Sequence, residues 1–295
     1  MTSDFHTVLQ SWSAPLGLDV ALILTGLIYV RGWFRMRVVS PTLIPSWRLA
    51  AFLAGIVFVW IAIGSPLGAL DELLLSVHMA QHLLLMAIAP PLILLGTPAL
   101  PLLQGLPQSA ARHAFGPVLR WRFVKWFGHV ITNPAICWLA ATLSLIAWHI
   151  PAVFDLALRF TWLHVVEHAC FFATGLLFWW PVIQPWPSTA RWPRWSIPLY
   201  LFCATLPCDV LSGFLVFCDR TVYTSYLSVP RIFGLSPVQD QQFAAALMWV
   251  SLTVIFLIPA VVVTIHILSP HQQRSAHDAF AELNGIAARP LMRQP

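Results

Sequence analysis

Two short stretches carry paired imidazoles inside runs that are otherwise apolar: His78-Met79-Ala80-Gln81-His82 and His164-Val165-Val166-Glu167-His168. In each, the histidines are four residues apart, so on a helix they share one face, and Glu167 falls within the same arc as its pair. A bilayer interior has no water to hydrogen-bond these groups, so they must face inward and they mark a functional site. Imidazoles and a carboxylate suit Cu, Zn, Fe or Ni, and the thioethers of Met79 and Met248 would suit Cu(I). Glu167 is readable as a ligand or as an acceptor that fixes an imidazole tautomer. Taken singly, an intramembrane His is more often an interhelical hydrogen-bonding group, and a Met is more often packing. It is the grouping that points to a metal or cofactor site.

The elements that must position these residues are read from composition and hydropathy. The chain has 295 residues, of which 59% are hydrophobic and only 9% charged. Soluble domains carry about 25% charged residues, so this composition excludes a soluble fold and defines an integral membrane protein. The net charge of +5 comes from arginines clustered in loops, which speaks for membrane orientation and against a nucleic-acid partner. Fifteen tryptophans fit aromatic belts at both bilayer interfaces. The five cysteines (137, 170, 203, 208 and 218) form no CxxC pair. Cys208 and Cys218 would stand about 15 Å apart on one helix, too far for a disulfide.

Seven stretches have the length and apolarity of spanning helices: 16–32, 47–65, 72–95, 133–150, 161–182, 197–217 and 241–268. The expected fold is all-α, a seven-helix polytopic bundle forming one domain over 1–295, with a cytoplasmic tail at 269–295. Residues 1–15 hold no Lys or Arg, so the first span is expected to be a retained helix and not a cleaved leader. Pro90-Pro91 predicts a kink or early exit in the third span. The connection at 96–132, with its RWRFVKWFGH segment, reads as interfacial. With the N-terminus outside, thirteen of the sixteen Lys and Arg fall in inner loops and three (Arg159, Arg220 and Arg231) fall outside. The positive-inside rule therefore predicts an N-out, C-in protein of the bacterial inner membrane.

That orientation brings the polar residues to one depth. His78 and His82 lie in the outer half of span three, and His149 ends span four in Trp148-His149-Ile150-Pro151. His164, Glu167 and His168 open span five, and Asp240 and Gln241 open span seven. His6, His113, His129, His266, His271 and His277 fall in tails, inner loops or their borders. Asp209, mid-way along span six after a proline, reads equally as structural or functional. Two chemistries compete with a copper site. HVVEH matches the H-x-x-E-H zinc-peptidase pattern, which alone specifies only three positions. Histidines on spans three and five could also hold haem, as in membrane electron carriers.

In order along the chain, HMAQHLLL with PPL and a following Gly96 and Pro98, then WHIP, then HVVEHACFFATGLLFWWPV, then DQQ with Trp249, resemble the bacterial CtaG family. These are polytopic assembly factors of caa3-type cytochrome c oxidase, and the resemblance runs from about residue 50 to 268. It implies a membrane protein that is not an enzyme and that supports maturation of a haem-copper oxidase by copper delivery. The implied partners are oxidase subunits, the bilayer and a periplasmic copper donor. By position, the family's histidines fall on His78, His82, His149, His164 and His168, with Glu167, Asp240, Met79 and Met248 as secondary ligands or supports. One departure is Phe243-Ala244-Ala245-Ala246, where the family pattern has a glycine pair.

Overall fold

Long apolar runs with no water to bond must satisfy their backbone internally, and every regular element among the described residues is helical. The computed structural model describes residues 15–39, 45–107, 128, 133–185, 192–231 and 233–269. In chain order the helices are α1 (Leu16–Val39), α2 (Ser46–Val59), α3 (Leu75–Leu83), α4 (Ala89–Leu95), α5 (Ala99–Gly105), α6 (Pro134–Trp148), α7 (Pro151–Arg159), α8 (Thr161–Ile183), α9 (Ser196–Phe217) and α10 (Pro237–Leu268). Large apolar side chains such as Ile23, Leu27, Val210, Phe214 and Ile258 stand exposed on the perimeter, as in a multi-pass membrane protein.

Six spans among the described residues are long and apolar enough to cross a bilayer, and a seventh is formed only if α6 and α7 count together. The sequence places the fourth span at 133–150, and α6 ends at Trp148; beyond that end the chain turns by 76° into α7, a helix that hydropathy does not reveal. Pro151 is the cause: it excludes the helical conformation at Ile150, which is extended at φ −65° and ψ 123°. His149 sits at this corner.

The proline pair in span three bends it less than expected. A π turn at Leu84–Ile88 joins α3 to α4, and the three pieces run on as one span. Pro90 has no N–H to give the Met86 carbonyl one turn back, so that carbonyl needs another donor. The Trp179 indole N–H of α8 supplies it at 3.2 Å. Gly175 lies against the same point, where a Cβ would stand 2.8 Å from Met86 O and 2.9 Å from Pro90 Cγ. α8 is thereby fixed against α3 and α4 two turns below its histidines.

Of the connection read as interfacial, α5 is described, and it packs on α1. Their backbones touch at two glycines: a Cβ on Gly32 would meet Pro101 O, and one on Gly105 would meet Ile28 O. Gly105→Ala is expected to destabilise the protein by about 1–3 kcal/mol, read as a lower unfolding temperature in detergent. Gly17→Ala, where a Cβ meets nothing within 4 Å, is the control that should leave that temperature unchanged. RWRFVKWFGH apart from Gly128, the tail from 270 onward, and His6, His113, His129, His271 and His277 lie outside the described residues.

Candidate metal centre

The helix that bears His78 and His82 begins without a cap of its own, because Leu74 has no side-chain acceptor to offer. Asp240 of α10 supplies one from a distant part of the chain. Its Oδ2 accepts from Leu75 N–H at 2.7 Å and its Oδ1 from Ser76 N–H at 3.2 Å. A carboxylate here also complements the positive end of the α3 dipole. Both oxygens thus engage the N-terminus of α3, and Asp240 positions the helix that carries His78 and His82. Asp240→Ala is expected to cost about 1–2 kcal/mol in thermal unfolding, and restoring one acceptor in Asp240→Asn should recover part of it.

Two buried amides lock the surrounding elements. Gln81 Nε2 donates to Ala62 O at 2.8 Å, tying α3 to the π turn that ends span two. Gln241 Oε1 accepts from Val222 N–H at 2.7 Å, and its Nε2 donates to Leu215 O and Arg220 O. This holds the α9–α10 connection over the site. That connection forms a roof: the Tyr223 hydroxyl donates to His149 O at 3.2 Å, and the Tyr226 hydroxyl donates to Asp71 O at 2.8 Å. Asp155 of α7 anchors the roof by accepting from the Thr224 and Ser225 hydroxyls at 2.8 and 2.7 Å. Phe154 fills the space beneath, 4.2 Å from the Tyr223 ring and 4.9 Å from the His78 ring.

Under this roof the five histidines and Glu167 converge from α3, α8 and the α6–α7 corner. Ring centroids lie 4.3 Å apart for His78–His82 and for His164–His168, 5.2 Å for His78–His164 and 6.2 Å for His82–His149. Glu167 Oε1 stands 3.7 Å from His78 Nε2 and 3.5 Å from His82 Nε2, and both Glu167 and His78 are fully buried. Two ligands on an ion at 2.0–2.1 Å stand about 3.3–3.6 Å apart at tetrahedral to trigonal angles. These separations are therefore too long for strong hydrogen bonds and suited to donors around a common ion.

The hydrogen-bond inventory points the same way. Among the described residues, nine of the fifteen buried side-chain polar atoms without a hydrogen-bond partner belong to these five histidines and Glu167. Buried polar groups are nearly always paired, so such a concentration calls for a ligand. His149 is poised differently from the rest. Its Nδ1 lies 2.7 Å from Leu145 O, a contact only a protonated nitrogen can make, so Nε2 keeps its lone pair and has no partner. Met79 and Met248 are buried and, with Met86, His82, His149 and Phe171, line a small space of about 10 Å³ next to the cluster.

Several residues of the centre carry no sequence signal. Asp71 lies in the turn before α3, buried, with its carboxylate Oδ2 3.7 Å from His164 Nε2. Burial, with the neighbouring Glu72 charge adding to it, pushes the Asp71 carboxyl up to about 7. It stands seven residues before His78, but Leu74 is extended at φ −132° and ψ 118°, so the turn before α3, not a helix face, places it. Met86 was detectable in principle, one turn below His82. Of the other residues singled out, Asp209 is half-buried on α9, and His266 is exposed at the far end of α10, its Nδ1 2.7 Å from Val262 O.

The fold and the centre define a class: a polytopic helical membrane protein with a buried histidine–carboxylate donor cluster at one end of the bundle. The family model of the cytochrome c oxidase caa3 assembly factor, Caa3_CtaG, matches residues 27–269, and the chain belongs to that family. It is similar to the uncharacterized protein ML1998 of Mycobacterium leprae, at 25% identity over 98% of this chain and 45% of that protein. It is also similar to Mb0105 of Mycobacterium bovis, at 28% identity over 86% of this chain and 39% of that protein. The chain thus spans less than half the length of these curated relatives. No solved structure matches it.

Proposed function

We propose that this chain supports maturation of a haem-copper oxidase by holding copper in the buried donor cluster and releasing it to an oxidase subunit. The observation that carries this reading is the triad His78, His82 and Glu167. Its donors lie within 4.8 Å of one another, free of hydrogen bonds and shielded from water. The loop-charge asymmetry makes the cluster's end of the bundle the outer one, where a periplasmic donor could load it and an oxidase copper site could receive from it. The role needs ligand exchange alone, with no bond made or broken in a substrate, so it is not enzymatic.

The rivals fit less well. A haem would need a slot of porphyrin size, whereas Phe154 and Phe171 pack directly on the imidazoles, at 4.9 Å from His78 and 4.2 Å from His82. A zinc peptidase would need its glutamate in contact with water and a peptide, and Glu167 is fully buried.

Metal analysis and an absorption spectrum of the purified protein test the reading. Copper near stoichiometric after loading, with no Soret band, is the expected result. A Soret band would support the haem carrier, and zinc retained in place of copper would support the peptidase. Either would sink the copper role.

A further inference from the structure

We infer that the centre holds two adjacent metal positions sharing His78: a shallow one completed by Asp71 and His164, and a deep one completed by His82 and Glu167. An ion passes from one to the other with His78 as the constant ligand. This rests on the copper-holding reading above and adds a direction of loading to it.

Three observations carry it. Asp71, His78 and His164 form a second set whose donor atoms all lie within 4.8 Å of one another, as do those of His78, His82 and Glu167. The Asp71–His164 separation of 3.7 Å equals that between His78 and Glu167, so the shallow pair is spaced for a common ion just as the deep donors are. Exposure singles out His164 as the entry to the shallow set: its side chain is 17% exposed, against 6% for His82, 3% for Asp71 and 0% for His78 and Glu167.

The shallow set keeps donor atoms that the fold does not engage. Tyr226 engages Asp71 through its backbone carbonyl, while Asp71 Oδ1 and His164 Nε2 have no hydrogen-bond partner. A carboxylate oxygen so buried and without a partner is costly unless a cation meets it. Both ring nitrogens of His78 are likewise without a partner, and its ring stacks on His164 at 5.2 Å and 10°. His78 therefore has an unengaged nitrogen to offer the ion in either set. In the transfer, the bonds to Asp71 and His164 break as those to His82 and Glu167 form. The ion keeps its charge and no electron moves.

The experiment follows Cu(I) passing from its bicinchoninate complex to the full-length protein in detergent, reading both the loading rate and the equilibrium affinity. Asp71→Asn and His164→Gln are expected to slow loading about 10-fold while leaving affinity within about 3-fold; Glu167→Gln and His82→Ala should lower affinity about 10-fold or more. Equal loss of affinity in both pairs would mean one mixed centre, and unchanged loading in the shallow pair would mean those groups are no ligand set. Either result overturns the two-position scheme while leaving copper binding intact. Failure of the unsubstituted protein to take Cu(I) overturns the copper reading itself. Unfolding temperatures measured alongside exclude variants that have lost their fold, and the two shallow variants check each other.

Discussion

His78→Ala is expected to abolish copper loading, lowering affinity by more than the 10- to 100-fold typical of residues that merely support a ligand. His78 belongs to both donor sets, is fully buried, and contacts His82, His164 and His168 within 6.3 Å by ring centroid. Its removal leaves each set one donor short and leaves a cavity in a packed interior. In cells, the oxidase should lose copper at equal levels of the assembly factor. Normal copper occupancy in the oxidase of a strain carrying only His78→Ala would refute delivery through this cluster. His266→Ala serves as the comparison, since His266 is exposed at the opposite end of α10 and should leave the oxidase unaffected.

Gly175→Val is the second large effect, and it acts at a distance. A side chain at Gly175 must displace Met86 or Pro90, both within 2.9 Å of where its Cβ would stand. Overpacking of this kind costs about 1–3 kcal/mol. It also breaks the Trp179–Met86 hydrogen bond that satisfies the carbonyl stranded by Pro90. Separation of α8 from α3 here widens the gap between Glu167 and the His78–His82 pair above. Both the unfolding temperature and Cu(I) affinity should therefore fall together, the latter by about 10-fold for each 1.4 kcal/mol of lost binding free energy. Gly213→Ala, whose Cβ would meet only Trp249 at 3.9 Å, should change neither. A Gly175→Val protein with lowered stability and undiminished affinity would show that the α3–α8 joint does not set the donor spacing.

The spans were legible because their signal is local. Twenty apolar residues in lipid have one stable solution, and each helix satisfies its own backbone. The same locality made His78 with His82, and His164 with Glu167 and His168, readable as two faces, since a helix fixes what residues four apart share. Span four ends where Pro151 requires, close to the expected boundary at 150; what hydropathy did not reveal is α7, which leaves at 76°. Asp240, readable from the sequence as a secondary ligand or a support, could not be assigned between them for another reason. Its type suits either role, and only the position of α3's N-terminus shows that its oxygens accept from Leu75 and Ser76.

By itself, then, the sequence determined the class of protein, the spans, and which helix faces carry the imidazoles, because all of these follow from composition and helical period. Tertiary structure alone decided that Glu167 of α8 faces the His78–His82 pair of α3, and that Asp71 reaches His164 from a turn. It also decided that Tyr223 and Tyr226 close the top. Those contacts depend on how α8 rotates and seats against α3, which is set by Gly175, Trp179 and the carbonyl freed by Pro90. No local pattern encodes that seating, because the partners lie some ninety residues apart and meet only once the bundle has packed.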